Sequence, residues 1–145
     1  MRLFGRIYAG WGLSQEFYRR RLYLEAGFSS LDDFLVRFWE GYFLQRDAND
    51  LLAQLWTWYH HDVGATPGHG GDYEGALAAI RPRAIVMPAE KDLYFPPEDN
   101  EYEVRHMPNA ELRVIPGVWG HFAGGGANPV DTAFIDQGLR DLLAG

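Results

Sequence analysis

Two residues of this sequence could share a proton: Asp92, in "AEKDLYFPP", and His121, in "GVWGHFAG". An aspartate that accepts a hydrogen bond from an imidazole Nδ1–H fixes the tautomer of the ring and leaves Nε2 to take a proton from a hydroxyl nucleophile. That is the acid–base half of nucleophilic catalysis. The nucleophile itself is harder to find. The chain has no cysteine and three serines, Ser14, Ser29 and Ser30, and none lies in the Gly-x-Ser-x-Gly turn from strand to helix that exposes a catalytic hydroxyl. Ser14, in "GWGLSQE", has glycine two residues before it but glutamate two after it, and no strand-like run leads into it.

The elements that would hold Asp92 and His121 come from the second half of the chain. Residues 84–89, "AIVMPA", are apolar without alternation, which is how a strand covered on both faces of a parallel sheet reads. Residues 111–117, "ELRVIPG", alternate and read as a second strand. Between them, Pro96 and Pro97 followed by Glu98 and Asp99 put proline and acids where a helix N-terminus favours them, so a helix is expected over 97–106. A last helix starts at Asn128, with Pro129 in its first position, Asp131 in its first turn and Ile135, Leu139, Leu142 and Leu143 on the face to be buried. This order of strand, helix, strand, helix predicts an α/β fold with two parallel strands. Ligand crevices of such sheets lie beyond the carboxyl ends of the strands, and Asp92 and His121 both follow a strand at that end. Two strands are few for a sheet, and their outer edges ask for neighbours.

The first half is helical in period. Ser30-Leu31-Asp32-Asp33 has the form of a capping box, and Leu31, Phe34, Leu35, Phe38, Trp39 and Tyr42 follow at helical spacing. Leu51, Leu52, Leu55, Trp56 and Tyr59 give a second apolar stripe on a helix expected over 49–61. A turn-rich stretch over 62–75 separates the halves. The expected organisation is a helical segment over 1–71 and an α/β segment over 72–145.

Composition excludes several functions. With 47% hydrophobic and 15% aromatic residues the chain can build a core, and its net charge of −7 repels a phosphate backbone, so no nucleic-acid partner is expected. The early apolar segment is interrupted by glycines and falls short of the roughly 20 residues of a membrane span, so neither membrane association nor a leader is expected; the absence of cysteine fits the cytoplasmic location expected here. His60-His61-Asp62 does not make a metal site, because neighbouring helical residues point about 100° apart rather than onto one face. "AGGGANP", residues 123–129, lacks the lysine and hydroxyl residue of a phosphate loop and reads as a flexible loop beside His121.

The segments "ANDLLAQLWTWYHHD", "ALAAIRPRAIVMPAEKDLYFPPED" and "HMPNAELRVIPGVWGHFAG" together resemble the C-terminal part of homoserine O-acetyltransferase-like proteins of the α/β-hydrolase superfamily. The resemblance implies the last two strands and flanking helices of that fold preceded by a helical lid, with the nucleophilic serine outside the chain. It implies Asp92 as the acid and His121 as the base of a Ser-Asp-His triad for acyl transfer. No cofactor is implied; the partners are a small acyl donor, with acyl-CoA as a candidate, and a small acceptor. Acetyltransferases of the family commonly follow Gly-His with aspartate, whereas Phe122 stands here, which leaves ester hydrolysis, or acyl transfer to another acceptor, as the alternatives. A complementing N-terminal chain, self-association through the exposed edge, or a purely associative role without catalysis completes the expectations, and the chain alone is expected to be inactive.

Overall fold

The computed structural model describes residues 1–144. They form two compact units, Met1–His61 and the described residues from Asp62 on.

The first unit is all helix: α1 Arg2–Gly12, α2 Gln15–Arg19, α3 Leu22–Glu25, α4 Leu31–Phe34, a π-helical turn Leu35–Glu40, α5 Gly41–Leu44 and α6 Ala48–His60. Its core is aromatic. Trp39 is fully buried, at 0% exposure, with its ring 5.6 Å from Tyr8 and 5.1 Å from Phe38. Phe34 meets Phe28 at 4.9 Å and Phe17 at 5.8 Å. The sequence period predicts one regular helix through this stretch; the structure interrupts it with the wider π turn, which brings Trp39 and the buried Glu40 against α1. That approach is backbone to backbone. A β-carbon on Gly5 would lie 2.6 Å from the Trp39 carbonyl oxygen, so only glycine fits. Glu40 is paired there with Arg6, Nε to Oε1 at 2.5 Å.

The Ser30 cap forms as its sequence suggests, with Oγ accepting from the Asp33 N–H at 3.0 Å. The returning acid differs from the expected box: Asp33 accepts from the backbone N–H of Ser29, at 2.8 Å, and from the Ser29 hydroxyl. Those bonds, the Ser29 N–H first, hold the Asp33 carboxyl below its usual range. Ser14 is buried and caps α2 by accepting from the Phe17 N–H, which accounts for it without chemistry. Helix α6 begins one residue earlier than its stripe predicts because Asp47 caps it. None of its residues is buried, and Tyr59 is 83% exposed. The apolar face of α6 is thus real but lies open among the described residues.

The second unit contains α7 Tyr73–Ala78, β1 Ala84–Val86, α8 Pro97–His106, β2 Ala110–Leu112, a 3-10 turn Gly120–Gly125 and α9 Pro129–Leu143. The strands are parallel, with Ala84 opposite Ala110 and Val86 opposite Leu112. Both are three residues long, shorter than their apolar runs. Pro88 and Pro116 have no N–H to give, so regular pairing stops before them, although Ile115 N–H still reaches the Pro88 carbonyl at 2.8 Å and Glu90 N–H the Ile115 carbonyl at 2.9 Å. β1 is half-buried, and among the described residues only β2 pairs with it. Helix α7 starts inside the stretch expected to be linker. Asp72, accepting from the Gly75 N–H at 2.9 Å, is its cap.

Helices α8 and α9 start where their prolines and caps place them. α9 lies close on β1: a β-carbon on Gly138 would meet the Met87 sulfur at 2.8 Å. Ala89, Ile115 and Ala123 form the small core between them, with Phe134 and Ile135 packed on it. Arg113 ties β2 to α9 through Asp141 and is held also by Glu111. No described helix is long and apolar enough to cross a membrane.

Candidate active site

The paired segments deliver Asp92 and His121 to one end of the strand pair. After the Ala89–Ile115 bridge the first segment turns back, with Asp92 N–H donating to the Ala89 carbonyl at 3.0 Å. The second segment runs through Pro116 and Gly117 into the 3-10 turn that opens with Gly120 and His121. Gly120 has φ +56°, a left-handed conformation that a β-carbon disfavours, so the glycine before His121 is needed to aim the imidazole.

His121 Nδ1 lies 3.1 Å from Asp92 Oδ2. The other carboxylate oxygen, Oδ1, accepts from the Tyr94 N–H at 2.8 Å. The Asp92 side chain is 8% exposed and that of His121 30%. An acceptor-only carboxylate facing Nδ1 requires that this nitrogen carry the proton, which leaves Nε2 as the basic nitrogen. The rings of Tyr94 and Phe95 lie 5.0 and 5.5 Å from the imidazole.

Both residues border a cavity of about 470 Å³ whose wall includes Val86, Ala89, Phe95 and Ile135. The wall is largely apolar and holds no serine, threonine or cysteine, and Ser14 belongs to the other unit. The arrangement can therefore accept a proton from a hydroxyl and hold it as an imidazolium beside a carboxylate. Among the described residues no serine or threonine hydroxyl lines that cavity. His60, weighed above for metal, puts Nδ1 2.7 Å from the Trp56 carbonyl one turn back in α6. No three His, Asp or Glu side chains cluster as a metal centre requires among the described residues.

Asp131, expected only as a first-turn acid, is 1% exposed, and neither carboxylate oxygen has a hydrogen-bond partner. It lies over Gly117: a β-carbon there would come within 2.3 and 2.5 Å of the two oxygens. The signal was available only as Gly117 and Asp131 separately, and nothing in their spacing joins them. Gly117→Ala is expected to destabilise the chain by about 1–3 kcal/mol, the usual result of overpacking, because the buried carboxylate cannot swing into water. Denaturant melts of the variant check this; an unchanged midpoint would show that Asp131 relaxes freely.

No family model matches the chain. It is 32% identical over 94% of its length to the "Probable esterase Cgl0839" of Corynebacterium glutamicum, and 33% identical over 92% to the ethyl acetate hydrolase of Pseudomonas veronii. It spans about two fifths of these curated relatives, 39% and 38% of their lengths. A homoserine O-acetyltransferase of Salinibacter ruber is 30% identical over only 68% of the chain. Among solved structures, the acetyl esterase MekB superposes with a TM-score of 0.93 at 30% identity, over 99% of this chain and 41% of that one. The matches to esterases are longer than the match to the acetyltransferase, which reverses the weighting given by the sequence resemblance.

Proposed function

We propose that this chain, which has the fold of the C-terminal part of an α/β-hydrolase, supplies the acid and the base of an ester hydrolase of small acyl groups. The observation that carries the reading is the 3.1 Å contact between His121 Nδ1 and Asp92. In this reading a serine hydroxyl from a polypeptide segment outside these 145 residues attacks the ester carbonyl while His121 Nε2 takes its proton. The tetrahedral intermediate collapses, the C–O bond to the alcohol breaks, and His121 returns the proton to the departing alkoxide. Water then adds to the acyl-serine with His121 again as base, releasing the carboxylic acid and regenerating the serine. Asp92 stabilises each imidazolium without taking the proton. Donors for the oxyanion belong with the nucleophile.

The length of the esterase matches and the phenylalanine after His121 support hydrolysis over acetyl transfer to homoserine. The outer edge of β1, unpaired among the described residues, and the open stripe of α6 suit a further polypeptide, whether a complementing chain or a second copy. The test is a chimera joining the upstream part of the C. glutamicum relative to this chain. It is expected to hydrolyse ethyl acetate and activated acetyl esters, without acetyl transfer from acetyl-CoA to homoserine. Transfer without hydrolysis would reverse the assignment.

A further inference from the structure

We propose that Tyr94 and Phe95 are positioning residues, bracketing the His121 imidazole so that it stays in the rotamer that meets Asp92. The proposal rests on the acid and base roles assigned above, and its geometry comes from one turn. Asp92 Oδ1 accepts the Tyr94 N–H at 2.8 Å, an aspartate turn that orients the carboxylate by its own chain. The same turn sets the two rings that follow, at centroid distances of 5.0 Å (tilted 53°) and 5.5 Å (tilted 35°) from the imidazole. Acid and brackets therefore move as one piece.

The need for brackets follows from exposure. His121 is 30% exposed at its side chain and reaches the carboxylate through one nitrogen. A single hydrogen bond in such a site favours the bonded rotamer by roughly tenfold, which leaves an appreciable unbonded fraction. Each aromatic contact adds roughly two- to tenfold, enough together to make the bonded rotamer nearly exclusive. Phe95 is 45% exposed and lines the cavity, so its ring is not held there by core packing alone. Two rings within about 6 Å also attract a cation, so the brackets favour the imidazolium formed when His121 takes the nucleophile's proton. The charged neighbours on the same loop, Glu90 and Lys91, pair with each other at 2.6 Å.

The imidazole Nδ1–H of His121, observed by NMR in the nitrogen-labelled chain, reads the contact directly. Its exchange with water is expected to accelerate about fivefold or more in Phe95→Leu and in Tyr94→Leu, and more than twentyfold in the double variant. The conservative Phe95→Tyr and Tyr94→Phe are expected to stay within twofold of the parent. Exchange unchanged in the double variant would overturn the proposal. A second reading uses the active chimera, where Phe95→Leu is expected to lower kcat at least fivefold with KM unchanged. A raised KM at constant kcat would make Phe95 a substrate contact and overturn the positioning role. The two ideas separate: faster exchange in a chimera that never hydrolyses esters would sink the hydrolase assignment and spare the brackets.

Discussion

Replacing His121 by alanine is expected to lower ester turnover in the chimera by about 10⁴- to 10⁶-fold, the scale on which removing the base of a serine triad acts. The reason lies in the Asp92–His121 pair. A serine hydroxyl is a weak nucleophile until a base takes its proton, and among the described residues His121 is the one imidazole or amine on the cavity wall, Asp92 being engaged with its Nδ1. Asp92→Asn keeps the shape but presents a donor to Nδ1, favouring the wrong tautomer, and should cost about 10⁴-fold. The double variant is expected to be no worse than His121→Ala, because the two side chains act as a unit. The 145-residue chain by itself should show no turnover that His121→Ala removes. Steady-state rates with an activated acetyl ester decide the matter: a His121→Ala chimera within tenfold of the parent would sink the assignment.

The largest expected loss of stability is at Trp39. Trp39→Ala removes a fully buried ring that touches Tyr8 and Phe38, and large-to-small changes of this kind cost about 3–5 kcal/mol. A domain has only about 5–15 kcal/mol to lose, so the helical unit should melt far earlier or fail to form. The change also has a local reporter. Burial pushes the Tyr18 hydroxyl up to about 12, against a smaller opposing effect of the Trp39 N–H that donates to it at 3.2 Å. With the indole gone, water reaches Tyr18 and its ionisation should fall back toward the usual value of about 10. Absorbance titration with denaturant melts of the same variant tests both. An unchanged midpoint and an unchanged tyrosine titration would show that Trp39 is not the centre of this core.

Much of the frame was legible because its signals are local. Ser30, Pro97 and Asn128 start helices for reasons contained in a few neighbouring residues: a side-chain oxygen within reach of the second or third N–H, or a ring that presets φ. Asp92 and His121 could be placed on one rim because a parallel pair puts both strand ends on the same side, and this needs only the order of the elements. What covers an apolar surface is long-range. The apolar run 84–89 signals a strand covered on both faces, but a run of residues does not say which segments cover it, and among the described residues only β2 pairs with β1. Helix α6 shows the same limit, since its stripe announces an apolar face but does not say what, if anything, covers it.

The amino-acid order alone therefore determined the helix starts at Ser30, Pro97 and Asn128, the parallel strand–helix–strand unit and the candidate acid and base, since each is set by chemistry within a few residues or by chain direction. Only the tertiary structure decided the π turn at Leu35–Glu40, beside which α1 approaches closely at Gly5. It alone placed the Asp131 carboxylate over Gly117, and the Tyr94 and Phe95 rings about His121. These are contacts between segments far apart in the chain or side-chain directions fixed by a turn, and their distances depend on how whole elements pack, which no local pattern of residue types encodes.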